Sequence, residues 1–221
     1  MSSDLWSTRS PAYRAAVEQM EGTDLDLLVE WAEAGPDVTV LDVATGGGHV
    51  ARRLRGAGAE VTTLDAAPGM EPDVVARAED LPFADGSFDV VVTRIAAHHF
   101  DDVRRAVGEL ARVSRRLVLV EDTLFESEEI EGAEKLRDPT HVRSYTEDEW
   151  RSFLAAAGLE VAGVEYCVKR HPFDAWLART GCEGAEAAEV RRLLADHTIE
   201  DGAAWVDTKI LLRAVKDLES H

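Results

Sequence analysis

Two carboxylates and the glycines between them are where this 221-residue chain carries chemistry. The stretch VLDVATGGGHVARRL, Val40 to Leu54, runs a β-branched segment into Asp42, passes Gly46, Gly47 and Gly48, and enters an arginine-rich amphipathic helix near His49. Glycines between a strand and a helix let the backbone approach a ligand closely, and the helix start offers free N–H groups to a polar or anionic moiety. Dinucleotide and S-adenosylmethionine enzymes both use such a turn, and Gly46-x-Gly48-x-x-Ala51 fits the dinucleotide fingerprint, which tolerates alanine in third place. Asp42 separates the two, because a dinucleotide enzyme usually has an apolar residue there, whereas a carboxylate at that strand end receives an ammonium. Asp65 ends the next β-type segment, about 20 residues after the glycines, where a carboxylate accepts both hydroxyls of a ribose.

Further along, Arg94, His98 and His99 follow another strand, at the edge where ligands of open α/β sheets collect. A histidine there orients a substrate or accepts a proton near neutral pH. The plainer reading of His99 is a loop-fixing hydrogen bond, so His98 and His141 are the candidate bases. Arg143, two residues after His141, either meets an anionic group or pairs with the acids around it.

These residues need a scaffold of alternating strands and helices. Apolar periodicity places helices at Pro11–Met20, Asp24–Ala34 and Asp102–Val113, and strands at Val38–Val43, Glu60–Asp65, Asp73–Ala76, Phe88–Thr93 and Leu117–Glu121. Thr146 and Glu149 form a capping box that starts a helix within Ser144–Ala157. Strands at Glu160–Val168 and Asp207–Val215 then read as an antiparallel hairpin at the sheet edge, unlike the second half of a dinucleotide domain.

Composition narrows the partners. A net charge of −19 repels a phosphate backbone, which argues against nucleic acid. No apolar run is long enough for a membrane span and no signal sequence is visible, so a cytoplasmic protein is expected. Cys167 and Cys182 are isolated, with no metal-ligand spacing, so no metal is expected. The excess of arginine over lysine fits either a GC-rich genome or adaptation to high salt.

In order and spacing, VLDVATGGGHVA, VTTLDAAPGM, AEDLPFADGSFDVVV and AAHHFDD resemble the motifs of class I S-adenosylmethionine-dependent methyltransferases, over roughly residues 10 to 216. The ATGGGH, AAHHF and RDPTHVR segments are most similar to the ubiquinone/menaquinone-biosynthesis C-methyltransferase branch (methyltransferase type 11). The resemblance implies an α/β Rossmann-like fold: a seven-stranded, mostly parallel sheet with one antiparallel late strand and helices on both faces. It also implies one compact unit in which residues 1–36 are helices covering the site and residues 37–221 bind S-adenosyl-L-methionine. The implied cofactor residues are Asp42, Ala44, Thr45, Gly46, Gly48, Asp65, Ala66, Met70, Ala78, Glu79 and Arg94. A small-molecule methyl acceptor is implied, as a monomer or homodimer. Two departures stand out. The helix that the family usually places after Asp65 is cut short or absent. Arg77 stands where an aspartate accepts from the adenine amino group, and a guanidinium has only donors. An NAD(P)-binding oxidoreductase and a non-catalytic cofactor-binding protein of the same fold are the alternatives.

Overall fold

The computed structural model describes residues 3–15 and 22–216. Helices α1 (Ser3–Arg14) and α2 (Thr23–Trp31) precede the sheet. Next come β1 (Thr39–Val43), α3 (His49–Gly56), β2 (Glu60–Asp65), β3 (Val74–Val75) and β4 (Phe88–Arg94), then α4 (Val103–Val113) and β5 (Ser114–Thr123). The later elements are α5 (Glu128–Arg137), α6 (Glu147–Ala156), β6 (Leu159–Pro172), α7 (Phe173–Thr180), α8 (Gly184–Leu193), β7 (Thr198–Ile199) and β8 (Ala204–Lys216).

The sheet has the order β3-β2-β1-β4-β5-β8-β6, with short β7 pairing to β8. Strands β1 to β5 are parallel, and β8 is antiparallel to both neighbours. One antiparallel late strand in a seven-strand path is the expected fold, with β7 as a small eighth strand. An all-parallel dinucleotide sheet has no place for β8.

Alternation along the strands sends side chains to two faces. Val40, Val90, Val92, Leu117 and Leu119 pack with α2 and α3 through Leu25, Leu28 and Leu54. Leu41, Val91, Val118 and Val120 pack the other face against α4 and α6 through Val107, Leu110, Trp150 and Leu154. A third cluster joins α5, α7 and α8 to β8, with Phe173, Trp176 and Trp205 at its centre. The capping box forms as expected, with Thr146 Oγ1 accepting from Glu149 N–H.

Two placements differ from expectation and one agrees. The helix expected at Pro11–Met20 instead begins at Ser3 and carries Pro11 inside it, while positions 16–20 lie outside the described residues. Proline favours a first helical turn but is a weak boundary where a helix runs through it. Between Asp65 and β3 there is only a single 3-10 turn, Pro68–Met70, the shortened segment that the sequence led us to expect. Finally, β8 lies inside the sheet and β6 forms the edge, joined through two helices and not a hairpin turn. The reason is apolar content: Ile210 to Leu212 are buried on both faces of β8, whereas Tyr166 and Val168 of β6 are exposed.

Candidate active site

The carboxyl ends of adjacent strands β1 and β2 bring Asp42 and Asp65 to one mouth of the sheet, because the register pairs Asp42 with Thr63 and Val43 with Leu64. A cavity of about 370 Å³ opens there, within the range of small-molecule sites. Asp42, Ala44, Thr45, Gly46, Asp65, Ala66, Met70, Ala78, Glu79 and Arg94 all line it.

The glycine turn has a steric logic. Gly48 sits at φ 71° and caps α3, a left-handed conformation that favours glycine, and Gly48 itself stands behind the cavity wall. At Gly47 a Cβ would meet the Tyr13 carbonyl oxygen at 2.8 Å, so this glycine lets α1 lie directly on the turn. Gly46 N–H donates to Asp65 Oδ2 at 3.0 Å and Ala67 N–H donates to Asp65 Oδ1 at 2.9 Å, which fixes the carboxylate toward the cavity.

Burial sets the electrostatics. Asp42 is 1% exposed and accepts from Thr45 Oγ1 at 2.6 Å; burial nevertheless pushes its carboxyl up to about 6. Asp65 is likewise raised by burial, against the pull of its backbone donors. Arg94, at the end of β4, bridges Asp24 of α2 and Glu121 of β5, the latter at 2.7 Å. Burial holds the Glu121 carboxyl up, to about 7, despite Arg94. Asp24, Glu121 and Cys167 each place a ligand-type atom within 4.8 Å of the others. That cluster is already answered by cations, since Asp24 also meets Lys169 at 2.6 Å, and burial pushes the Cys167 thiol up to about 12.

His98 and His141 do not line the cavity. His98 turns away to Asp122, with Nδ1 at 2.5 Å from Oδ1, and His141 Nε2 lies 3.1 Å from Glu131 Oε2. Two other histidines, His49 and His99, line it, and His99 Nδ1 also lies 3.0 Å from the Thr140 carbonyl oxygen, the loop-fixing hydrogen bond expected of it.

Other wall residues escaped the motifs. Trp6 and Tyr13 reach the cavity from α1; their seven-residue spacing is the available signal, since it puts both on one helical face. Ile95 adopts φ 51°, a rare conformation for a β-branched residue, directly after β4. Arg77 does not enter as an adenine acceptor; it pairs with Asp101 at 2.6 Å and Glu79 at 3.3 Å on the rim. Among the described residues, the backbone N–H groups of Ala78 and Glu79 have no protein partner.

The sheet order, the glycine turn and the paired strand-end carboxylates define a class I methyltransferase architecture. Residues 41–117 match the methyltransferase domain family. The uncharacterised methyltransferase YcgJ of Bacillus subtilis is 34% identical over 199 residues, 80% of this chain and 78% of that protein. Its crystal structure superposes with a TM-score of 0.78 at 28% identity, covering 87% of this chain and 97% of that one. The malonyl-[acyl-carrier protein] O-methyltransferase of Geobacter sulfurreducens is 32% identical over 195 residues, 73% of this chain and 70% of that one. The demethylmenaquinone methyltransferase of Renibacterium salmoninarum is 35% identical over 108 residues, 43% of this chain and 46% of that one. The chain belongs to the class I S-adenosylmethionine-dependent methyltransferase family.

Proposed function

We propose that this protein transfers a methyl group from S-adenosyl-L-methionine to a small-molecule acceptor. The observation that carries the reading is the pair of buried carboxylates, Asp42 and Asp65, fixed at adjacent strand ends against one cavity, with burial raising both. Carboxylates so desolvated favour a cationic or hydroxyl-rich ligand that restores what they lost on burial. The donor set suits an ammonium at Asp42 and ribose hydroxyls at Asp65. Ala78 and Glu79 N–H groups read the adenine edge, Met70 flanks the ring, and Ala44, Thr45, Gly46 and Ala66 form the backbone wall. Arg94 supplies positive field for the amino-acid carboxylate while holding α2 to the sheet.

When bound, the cofactor supplies a methyl group already activated on a sulfonium. The protein's task is to hold the acceptor in line and exclude water, where correct placement is worth roughly 7–11 kcal/mol. Helix α1 serves as the cover, contributing Trp6 and Tyr13 above the strand ends. No helix among the described residues is long and apolar enough to cross a membrane. The acidic surface leaves small metabolites, not nucleic acid, as the natural acceptors.

Titration calorimetry with S-adenosylhomocysteine tests the reading. Wild-type protein binds it in preference to NAD or NADP, and Asp65→Ala weakens binding about tenfold or more, since a hydrogen bond to a charged group contributes roughly 1.5–3 kcal/mol. Unchanged affinity in Asp65→Ala removes Asp65 from the site. Binding without transfer to any of a broad acceptor panel would favour a non-catalytic protein of the same fold.

A further inference from the structure

Resting on the methyl-transfer reading above, we propose that His49 is the positioning residue that couples the glycine turn to α1. A cofactor seated on the turn fixes His49, His49 fixes α1, and the aromatic wall that receives the acceptor forms only once the cofactor is in place. Helix α1 needs such a tie. It has 12 residues with Pro11 inside it, and a proline removes one hydrogen bond from the helical ladder. Helices of that length are marginal on their own in water. Tyr13 lies in its last turn, where carbonyls have no partner within the helix. The Tyr13 carbonyl oxygen lies 3.1 Å from Nε2 of His49, the first residue of α3.

Both ends of the imidazole agree on one tautomer. Arg52 Nη2 lies 2.5 Å from His49 Nδ1, and a guanidinium only donates, so Nδ1 accepts. The ring hydrogen therefore sits on Nε2 and is donated to the Tyr13 carbonyl, which can only accept. Burial chiefly holds the imidazole low, against the pull of the Tyr13 carbonyl and with Arg52 and Arg94 adding to it, so the ring stays neutral and keeps both bonds. The middle glycine of the turn clears the path between the two partners. A Cβ at Gly47 would meet His49 Nε2 at 2.6 Å and the Tyr13 carbonyl oxygen at 2.8 Å, the two atoms of the bond itself.

Arg52 extends the tie into the turn, because its Nη1 donates to the Gly47 carbonyl at 2.8 Å. A ligand that orders the Gly46–Gly47 backbone therefore orders Arg52, then the imidazole, then the last turn of α1. Gly46, Gly47 and His49 line the cavity from the turn, and Trp6 and Tyr13 line it from α1. Tyr13 meets Trp6 edge to face with ring centres 5.4 Å apart, and Trp6 meets His99 at 4.7 Å, so the wall moves as one. Ser7 and Arg14 anchor α1 to Gly69, and Arg9 anchors it to Asp138 and Thr180, all away from the glycine turn. Order supplied by the first ligand need not be supplied by the second, which is positive cooperativity and sets a sequence of binding, cofactor before acceptor.

Hydrogen exchange read by mass spectrometry, with and without saturating S-adenosylhomocysteine, tests the coupling on a peptide covering α1, with a β4 peptide as the measure of folding. In wild-type protein the ligand slows exchange in α1 by about two- to tenfold, the span of one net hydrogen bond. His49→Leu binds the ligand and keeps β4 protected, yet its α1 exchanges at the same rate with and without it. His49→Gln keeps most of the wild-type increment, because its amide both donates and accepts. Arg52→Met, at an exposed position, loses most of the increment with the fold intact, and carries the test if His49→Leu does not fold. A merely structural tie would lower α1 protection equally in the two states and leave the increment unchanged. That result in either His49→Leu or Arg52→Met overturns the proposal, as does a ligand-saturated wild-type protein whose α1 exchanges as in the free state. Failure of wild-type protein to bind S-adenosylhomocysteine instead overturns the methyl-transfer reading beneath it.

Discussion

Asp42 costs the unliganded protein stability. An unfolded aspartate ionises near 3.9, whereas this one is held at about 6, so the folded state binds a proton that the unfolded chain has released between those values. The penalty is absent below pH of about 4, grows through that window and is complete above about 6, where two units correspond to about 3 kcal/mol. Asp42→Asn keeps an acceptor for Thr45 and removes the charge. It raises unfolding free energy at neutral pH by up to about 3 kcal/mol, less at acid pH, while losing cofactor affinity. Urea titrations at two pH values check this, and an Asn variant no more stable than wild type would contradict it. Arg94 is the converse case: Arg94→Met leaves Asp24 and Glu121 buried without their shared cation and costs about 3–5 kcal/mol. Asp42 and Asp65 were legible in the sequence because a strand end and a glycine turn are encoded locally. The choice between His98 and His99 was not. The two rings of this 3-10 turn have centres only 4.1 Å apart, and partners 24 and 41 positions away, Asp122 and Thr140, decide which one lines the cavity.

Among the elements, α1 is held to the body by a distinctive kind of contact. It buries little apolar surface, and Ser10 is its one buried position among the described residues. Polar bonds and close backbone approach hold it instead. Gly69 N–H donates to Ser7 Oγ, Arg9 donates to the Thr180 carbonyl, and Arg14 donates to the Gly69 carbonyl. Gly47→Ala drives a methyl against the Tyr13 carbonyl, so α1 lifts. Limited proteolysis near the N-terminus accelerates and cofactor affinity falls, with the melting temperature little changed because the main core is untouched. Cleavage at the wild-type rate would show that the strap yields without detaching. A helix so poor in apolar anchors gives periodicity little to report, which is why its start at Ser3 was missed while α4, with Val103, Ala106, Val107 and Leu110 on one face, was plain. The position of β8 was obscure for a related reason: alternation reveals that a segment is a strand, but which gap it fills depends on the apolar faces of β5 and β6.

At the scale of the whole molecule, the −19 charge is distributed over a surface where many carboxylates already face arginines, as in Arg192 with Glu189 and Arg170 with Glu200. Exposed pairs of this kind contribute little, so the uncompensated acids dominate the long-range field. The Debye length falls from about 30 Å at 0.01 M salt to about 3 Å at 1 M, which screens that repulsion. The melting temperature therefore climbs as sodium or potassium chloride is raised, comparably for the two salts, and a flat response would leave the acidic excess without a stabilising role in brine. The sheet order has a further consequence, for the nascent chain. β6 is complete at Pro172, yet its neighbour in the sheet begins only at Ala204. Until β8 is synthesised, β5 and β6 present unsatisfied edges to one another across an empty slot, and such edges recruit other chains. Closure waits for the latest described strand, a long-range pairing of the sort that slows folding. A ribosome stalled within α8 would hold a half-sheet in need of a chaperone, and release of β8 converts it in one cooperative step into the finished platform on which Asp42, Asp65 and His99 converge.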